Sequence, residues 1–335
     1  MDINKAFDDL QRKADAAPEH VREARRRRDV FRSAFTGEDE VDEVVASGSL
    51  ARSTQREPIN DVDLVFVFDA SEHPEWGVPG ASAGDTLTYL AQRVNALLGI
   101  TNGEFAQEVR LARPGNHAVK CFLDDPDAES PFTVDVMPAL RQVDGTLLVP
   151  EKANERWILT NPEFLIARVA ERQAEWALFR PLVRVLKLWN DDHDTTMKSL
   201  TIEVLALEQL REESTRPRAL QRFFMAAEQA IDYPIEDPAG LCGPTQSNLN
   251  RDRARAELST AAKVSWEAIV AQDDGETDRA ACLWHSVFGD AFPEPPGGCP
   301  TEESKARTIG AATAATGAAG VGTTRRRPIR DAPQG

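Results

Sequence analysis

Between residues 61 and 68 the chain reads Asp61-Val62-Asp63-Leu64-Val65-Phe66-Val67-Phe68. In an extended strand this puts Val62, Leu64, Phe66 and Phe68 on one face and Asp61, Asp63, Val65 and Val67 on the other. Past Asp63 both faces are apolar, which predicts a strand central to a sheet. Glu43 to Ser47 predicts a short strand running into Gly48-Ser49. Upstream, Glu19 to about Phe35 predicts a helix with Val21, Val30, Phe31 and Phe35 turned to a core. Downstream, Ser71 to Gly84 is rich in Pro and Gly and reads as a loop. Asp85 then suits the N-cap of a helix through Leu98, with Leu87, Leu90, Ala91, Val94, Leu97 and Leu98 on one face and Gly99 past its end. His117 to Leu123 and Pro131 to Met137 read as two strands joined by the polar loop Asp124 to Ser130. Leu140 to Pro150 reads as a further hairpin around Asp144-Gly145.

After Trp157 the period becomes helical. Asn161-Pro162 opens a helical region, and Pro181 precedes Leu182-Val183-Arg184-Val185-Leu186-Lys187-Leu188-Trp189, apolar at helical spacing. Asp237 to Asn250 is a loop rich in Pro, Gly and Asn, followed by helices from about Asp252 to Gln272 and Glu276 to Phe288. Thr301 to Gly335 is dominated by Ala, Thr and Gly and buries too little surface to offset its ordering entropy, so it reads as a disordered tail. The expected division is a sheet-bearing core with its N-terminal helix at 1–157, a helical lobe at 158–298 and the tail at 299–335.

Charge and composition narrow the partners. The 335 residues carry a formal net charge of −16. That argues against a polyanion as the main partner, because nonspecific nucleic-acid binding needs clustered Lys and Arg. The run Arg25 to Arg28 reads as a solvated basic helix face. The four cysteines, Cys121, Cys242, Cys282 and Cys299, have no paired close spacing and read as reduced thiols. No apolar run is long enough to span a membrane and the N-terminus has no signal-peptide pattern, so a cytoplasmic location is expected.

The candidate chemistry lies where these patterns place acids inside strands. Asp61 and Asp63 share a strand face, and two buried like charges are costly unless a cation neutralises them. Mg²⁺ is the ion usually held by one or two carboxylates plus substrate phosphates. Gly48-Ser49 offers close backbone approach and a hydroxyl donor to an anion. Asp135 lies in the strand Pro131 to Met137; taken alone it fits a structural ion pair or a strand end as readily as a catalyst.

The order Gly48-Ser49, a dozen residues, then Asp61-x-Asp63 on a hydrophobic strand resembles the polymerase-beta-like nucleotidyltransferase superfamily. Within it the chain looks most like the bacterial cyclic-oligonucleotide synthases (CD-NTases), relatives of animal cyclic GMP-AMP synthase and the oligoadenylate synthetases. Asp135-Val136-Met137-Pro138 is similar to the motif bearing the family's third catalytic aspartate. The segment Leu186-Lys187-Leu188-Trp189-Asn190, with Lys198-Ser199, resembles its lid helices. Trp284, Phe288-Gly289 and Phe292-Pro293 are similar to its C-terminal signature, with Trp284, Phe288 and Phe292 as packing anchors.

The resemblance implies an α+β fold: a polymerase-beta-like core with a mixed sheet, packed on a C-terminal helical lobe. It implies two Mg²⁺ (or Mn²⁺) ions per active site on Asp61, Asp63 and Asp135. Gly48, Ser49, Lys187 and Ser199 would then grip a nucleoside triphosphate. For Lys187 a plain surface lysine remains open, and for Ser199 a helix N-cap. The implied activity is synthesis of a cyclic di- or trinucleotide second messenger for antiphage defence. Nucleotidyl transfer to tRNA, a protein or a small molecule is the alternative, and a silent scaffold a more distant one. DNA sensing is not expected, since the zinc-ligand cluster of the animal enzyme is missing. A tail ending in Gly335 fits conjugation by ubiquitin-like ligase machinery as well as it fits a solubilising tail.

Overall fold

The computed structural model describes residues 1–300 except Pro79 and Ala81. The tail from Thr301, with the Gly335 terminus that the conjugation reading needs, lies outside the described residues.

The chain runs α1 (Ile3–Ala14), α2 (Pro18–Thr36), β1 (Val41–Ser47), α3 (Gly48–Arg52), β2 (Asp61–Phe68), α4 (Ser82–Leu98), β3 (Leu111–Pro114), β4 (Val119–Phe122), β5 (Thr133–Arg141), β6 (Leu147–Glu151) and β7 (Arg156–Thr160). Helices α5 (Pro162–Glu175), α6 (Phe179–Asp192), α7 (Ser199–Gln209), α8 (Arg216–Ala230), α9 (Arg251–Asp273) and α10 (Thr277–Phe288) follow.

Strands β1 to β5 lie in the order β1-β2-β5-β4-β3, and β6 and β7 continue from β5. Only the β2–β5 pairing is parallel among those of the described residues, so the sheet is mixed. The predicted central strand is β2. Its Val62, Leu64, Phe66 and Phe68 pack with Phe31 and Phe35 of α2 and Leu87, Leu90 and Val94 of α4. Phe35 stacks on Phe66 at 4.2 Å between ring centroids. On the opposite face Val65 and Val67 join Val45, Ala139, Leu147 and Val149. Burial on both faces is why β2 is nearly all apolar after Asp63.

A separate core fills the helical lobe, where Trp189, Phe179, Phe223, Phe224, Trp284, Phe288 and Phe292 are all buried. The anchors expected from the C-terminal signature are therefore in place. The expected N-terminal helix, Glu19 to about Phe35, is α2 and packs on the sheet, whereas α1, ahead of it, belongs to the helical core. The α1 stripe Ile3, Ala6, Phe7, Leu10 and Ala14 is buried there, and Phe7 meets Trp284 and Phe292 edge-on at 5.0 and 5.1 Å.

Other expectations need adjustment. Helix α4 begins at Ser82, so Asp85 lies in its first turn and does not cap it. Strand β7 carries the sheet to Thr160, three residues past the expected lobe boundary. Cys282 and Cys299 are joined by a disulfide with Cα atoms 5.4 Å apart, because the chain folds back over α10 after Phe292; only Cys121 and Cys242 are free. The Arg25 to Arg28 face is largely self-neutralised: Arg26 pairs with Glu23 and Glu108, Arg27 with Glu23, and Arg28 with Asp29. No helix of the described residues is long and apolar enough to cross a membrane.

Candidate active site

Parallel pairing of β2 with β5 sets Asp63 opposite Asp135 and Asp61 opposite Thr133. Partners in register share a sheet face, so all three aspartates stand on one side, as the alternation of each strand requires. Burial first, then the charges of Asp61 and Asp135, push the Asp63 carboxyl up from 3.8 to about 6, although Arg52 and Lys120 oppose the shift. Burial also raises Asp135; Lys120 opposes this and Asp61 adds to it. This is an excess of negative charge that the protein itself does not fully compensate.

Lys120, opposite Asp135 on β4, is the nearest counter-charge, with Nζ 3.4 Å from Asp135 Oδ1. Even so, Oδ1 is sealed from solvent and receives no well-directed hydrogen bond. A buried, under-satisfied carboxylate oxygen beside two like charges fits a hard divalent cation. Among the described residues no three acidic, histidine or cysteine side chains close around one point as a ready-made cage. The fit is therefore to an ion that shares its coordination with substrate oxygens.

Above this face opens a cleft of about 430 Å³, walled by Gly48, Ser49 and Arg52 on one side, Asp61 and Asp63 at the sheet, and Ser199 and Leu200 on the other. Asp135 lies on the adjacent strand and does not itself line the cleft. Gly48 has φ 71°, and a Cβ there would collide with the Asp63 carboxylate. Glycine is thus demanded twice, by the left-handed backbone and by the close approach of the acid. Gly48 and Ser49 form the first residues of the short helix α3, which turns the chain out of β1 and packs on β2.

Ser199 is the first residue of α7, and the cap position is held by Lys198. The N-cap alternative therefore fails, while the place at the cleft wall stands. Lys187 does not line the cleft. It is buried at 3 % exposure, its Nζ 2.6 Å from Glu203 Oε2 and 3.1 Å from the Thr54 carbonyl. The expected direct grip on phosphate and the surface-lysine alternative both give way to this buried ion pair, because the α6 face that carries Lys187 turns into the interface with α7.

Sequence reasoning passed over Arg52 and Glu203. The signal for Glu203 was present: it is the one acid in Leu200-Thr201-Ile202-Glu203-Val204-Leu205-Ala206-Leu207, a run apolar on every helical face. Such a helix is buried, and a buried acid requires a partner. Nothing local names that partner.

No family model matches the chain. It is 23% identical over 284 residues to a probable cyclic nucleotide synthase of Bacillus cereus strain VD146, covering 75% of this chain and 82% of the relative. It is also 23% identical over 184 residues to the cyclic AMP-AMP-AMP synthase of an Acinetobacter strain, covering 48% of this chain and 50% of the relative. Among solved structures it is similar to CdnC of E. coli MS115-1 with ATP, at a TM-score of 0.66 and 18% identity, covering 88% of this chain and 99% of CdnC. The chain thus has the CD-NTase fold. The curated relatives it resembles are both cyclic nucleotide synthases.

Proposed function

We propose that the chain is a nucleotidyltransferase that joins nucleoside triphosphates into a cyclic di- or trinucleotide second messenger, serving antiphage defence. The observation that carries this is the placing of Asp61, Asp63 and Asp135 on one sheet face beside the Gly48-Ser49 turn. In each step a ribose hydroxyl attacks the α-phosphate of a triphosphate and pyrophosphate leaves. Asp61, Asp63 and Asp135 would hold the divalent ions, Mg²⁺ or Mn²⁺, two per site. When bound, these supply Lewis-acid charge at the reacting phosphate and lower the pKa of the attacking hydroxyl.

The chain's own residues supply alignment and exclusion of water. Gly48 lets the backbone approach the phosphates, and the Ser49 and Ser199 hydroxyls donate to them from opposite walls. Lys187 adds buried positive charge from beneath, close enough to Asp61 to feel its field. Holding the two reactants side by side at this cleft would convert an encounter between two nucleotides into an intramolecular reaction. The similar CdnC was solved with ATP, in keeping with a triphosphate in the corresponding cleft.

Incubation of the full chain with all four triphosphates and Mg²⁺ or Mn²⁺ tests the reading. A phosphatase-resistant product whose mass equals that of a cyclic oligonucleotide is the expected result. Label transferred only to tRNA, protein or a small acceptor, or an Asp61→Ala, Asp63→Ala variant working at the wild-type rate, would refute it.

A further inference from the structure

Beneath the cleft a single carboxylate gathers partners from three elements. Glu203 of α7, 1 % exposed, accepts from Arg52 Nε at 2.5 Å and Thr54 Oγ1 at 2.9 Å, and pairs with Lys187 Nζ at 2.6 Å. Arg52 ends α3, Thr54 follows two residues later, and Lys187 comes from α6. Lys187 reaches back to the Thr54 carbonyl, which closes the network. All four residues are buried, yet Arg52 also lines the cleft.

Burial opposes ionisation of Glu203, but Lys187 and Arg52 overcome it and hold the carboxyl down at about 2. Glu203 is thus the anion of the cluster, while burial lowers the Lys187 pKa and the Glu203 charge opposes that shift. Buried ion networks of this kind contribute little net stability compared with well-packed apolar groups. What this one does supply is geometry. It fastens the segment carrying Gly48 and Ser49 to the helix that begins at Ser199, and it fixes where the Arg52 guanidinium stands relative to Asp63.

We propose that Glu203 is a positioning residue for nucleotidyl transfer: it orients Arg52 at the base of the cleft and locks the Gly48–Arg52 turn to α7, so the two phosphate-facing walls keep a fixed spacing. The inference deepens the reading of the cleft as a nucleotidyl-transfer site and rests on it. Glu203 touches no substrate; it acts through Arg52 and Thr54.

The test measures kcat and KM for nucleotide per folded molecule, with thermal midpoints on the same samples, for the full chain carrying Glu203→Gln, Arg52→Lys and both. A lost lock misplaces reacting groups, so Glu203→Gln is expected to lower kcat by about 30- to 100-fold with KM changed less than about threefold. The double variant is expected to be no worse than Arg52→Lys alone by more than about twofold, because both changes break one device. A kcat for Glu203→Gln within about threefold of wild type overturns the proposal, as does multiplication of the two losses in the double variant. If Glu203→Gln fails to fold, Glu203→Gln with Lys187→Met keeps the cluster at one net positive charge and still removes the anchor of Arg52. The same loss of kcat is expected there, and failure of that variant to fold as well would assign the cluster a purely structural role. A wild-type chain that makes no product from any triphosphate mixture refutes the cleft reading itself, a result separate from all of these.

Discussion

Two charged clusters lie against one another in this molecule and are built on opposite terms. The sheet face carries Asp61, Asp63 and Asp135 with one half-exposed counter-charge, Lys120, paired to Asp135, and it holds Asp63 up at about 6. The interface below carries Glu203 clasped by Arg52, Lys187 and Thr54, and it holds the same kind of carboxyl down at about 2. Asp61 is exposed and Asp63 and Asp135 are half-buried, while Glu203 is buried; burial raises a carboxyl, so it does not explain why the more buried Glu203 is the lower. The difference is who supplies the neutralising charge: inside the lower cluster the protein does, while the upper face leaves that to what enters the cleft. On the proposed reading, the incomplete charge balance is where a cation and a phosphate would complete it, and the complete one is the frame.

The comparison breaks first at the carboxylates. Asp61→Ala or Asp63→Ala is expected to abolish product formation while leaving the thermal midpoint unchanged or higher, since each removes like-charge repulsion; product assays and melting curves on one preparation read both. Next, Glu203→Leu leaves two buried cations without their anion and is expected to cost about 3–5 kcal/mol of stability in denaturant titrations. A comparable loss is expected for Trp284→Ala in the helical core, about 3–5 kcal/mol. That variant should keep its turnover per folded molecule, which separates packing from positioning.

Gly48→Ala drives a methyl into the Asp63 carboxylate at a left-handed position. A loss of about 10²-fold in kcat is expected, read by steady-state kinetics. The pH dependence sharpens the contrast further. The Asp63 pKa is raised on folding from 3.8 to about 6, so the folded state binds the proton more tightly. Stability from this group is therefore greatest below about pH 4 and falls as pH rises through 6. Melting curves in EDTA should show that decline, Asp63→Asn should flatten it, and Mg²⁺ should stabilise the chain more at pH 7 than at pH 5. The smallest effect belongs to Lys120→Met. Its partner pair is long and partly solvated, so a change of less than about 1 kcal/mol is expected in the same titrations.

Much of the upper face was legible in the chain because strand alternation is a local property. Asp61 and Asp63 share a face by their spacing of two, and the apolar run behind them could only be a central strand. The Gly48-Ser49 turn and the anchors Trp284, Phe288 and Phe292 were legible through resemblance. The lower cluster was not, since Arg52 and Glu203 are 151 residues apart. Nor could the sequence show that Lys187 faces Glu203 instead of the cleft, because a helix with one polar position in an apolar stripe leaves open which neighbour covers it. The Cys282–Cys299 bond and the lodging of α1 against Trp284 escaped for the same reason.

The sequence by itself determined which strands are central, which acids lie within them and where glycine must stand, because periodicity and backbone stereochemistry act over a few residues. The tertiary structure alone decided that Asp135 comes into register with Asp63, and which buried cations Glu203 binds. Those are pairings between segments far apart in the chain. Their energies depend on burial and on the approach of opposite charges, and neither exists until the sheet and the helical lobe have packed.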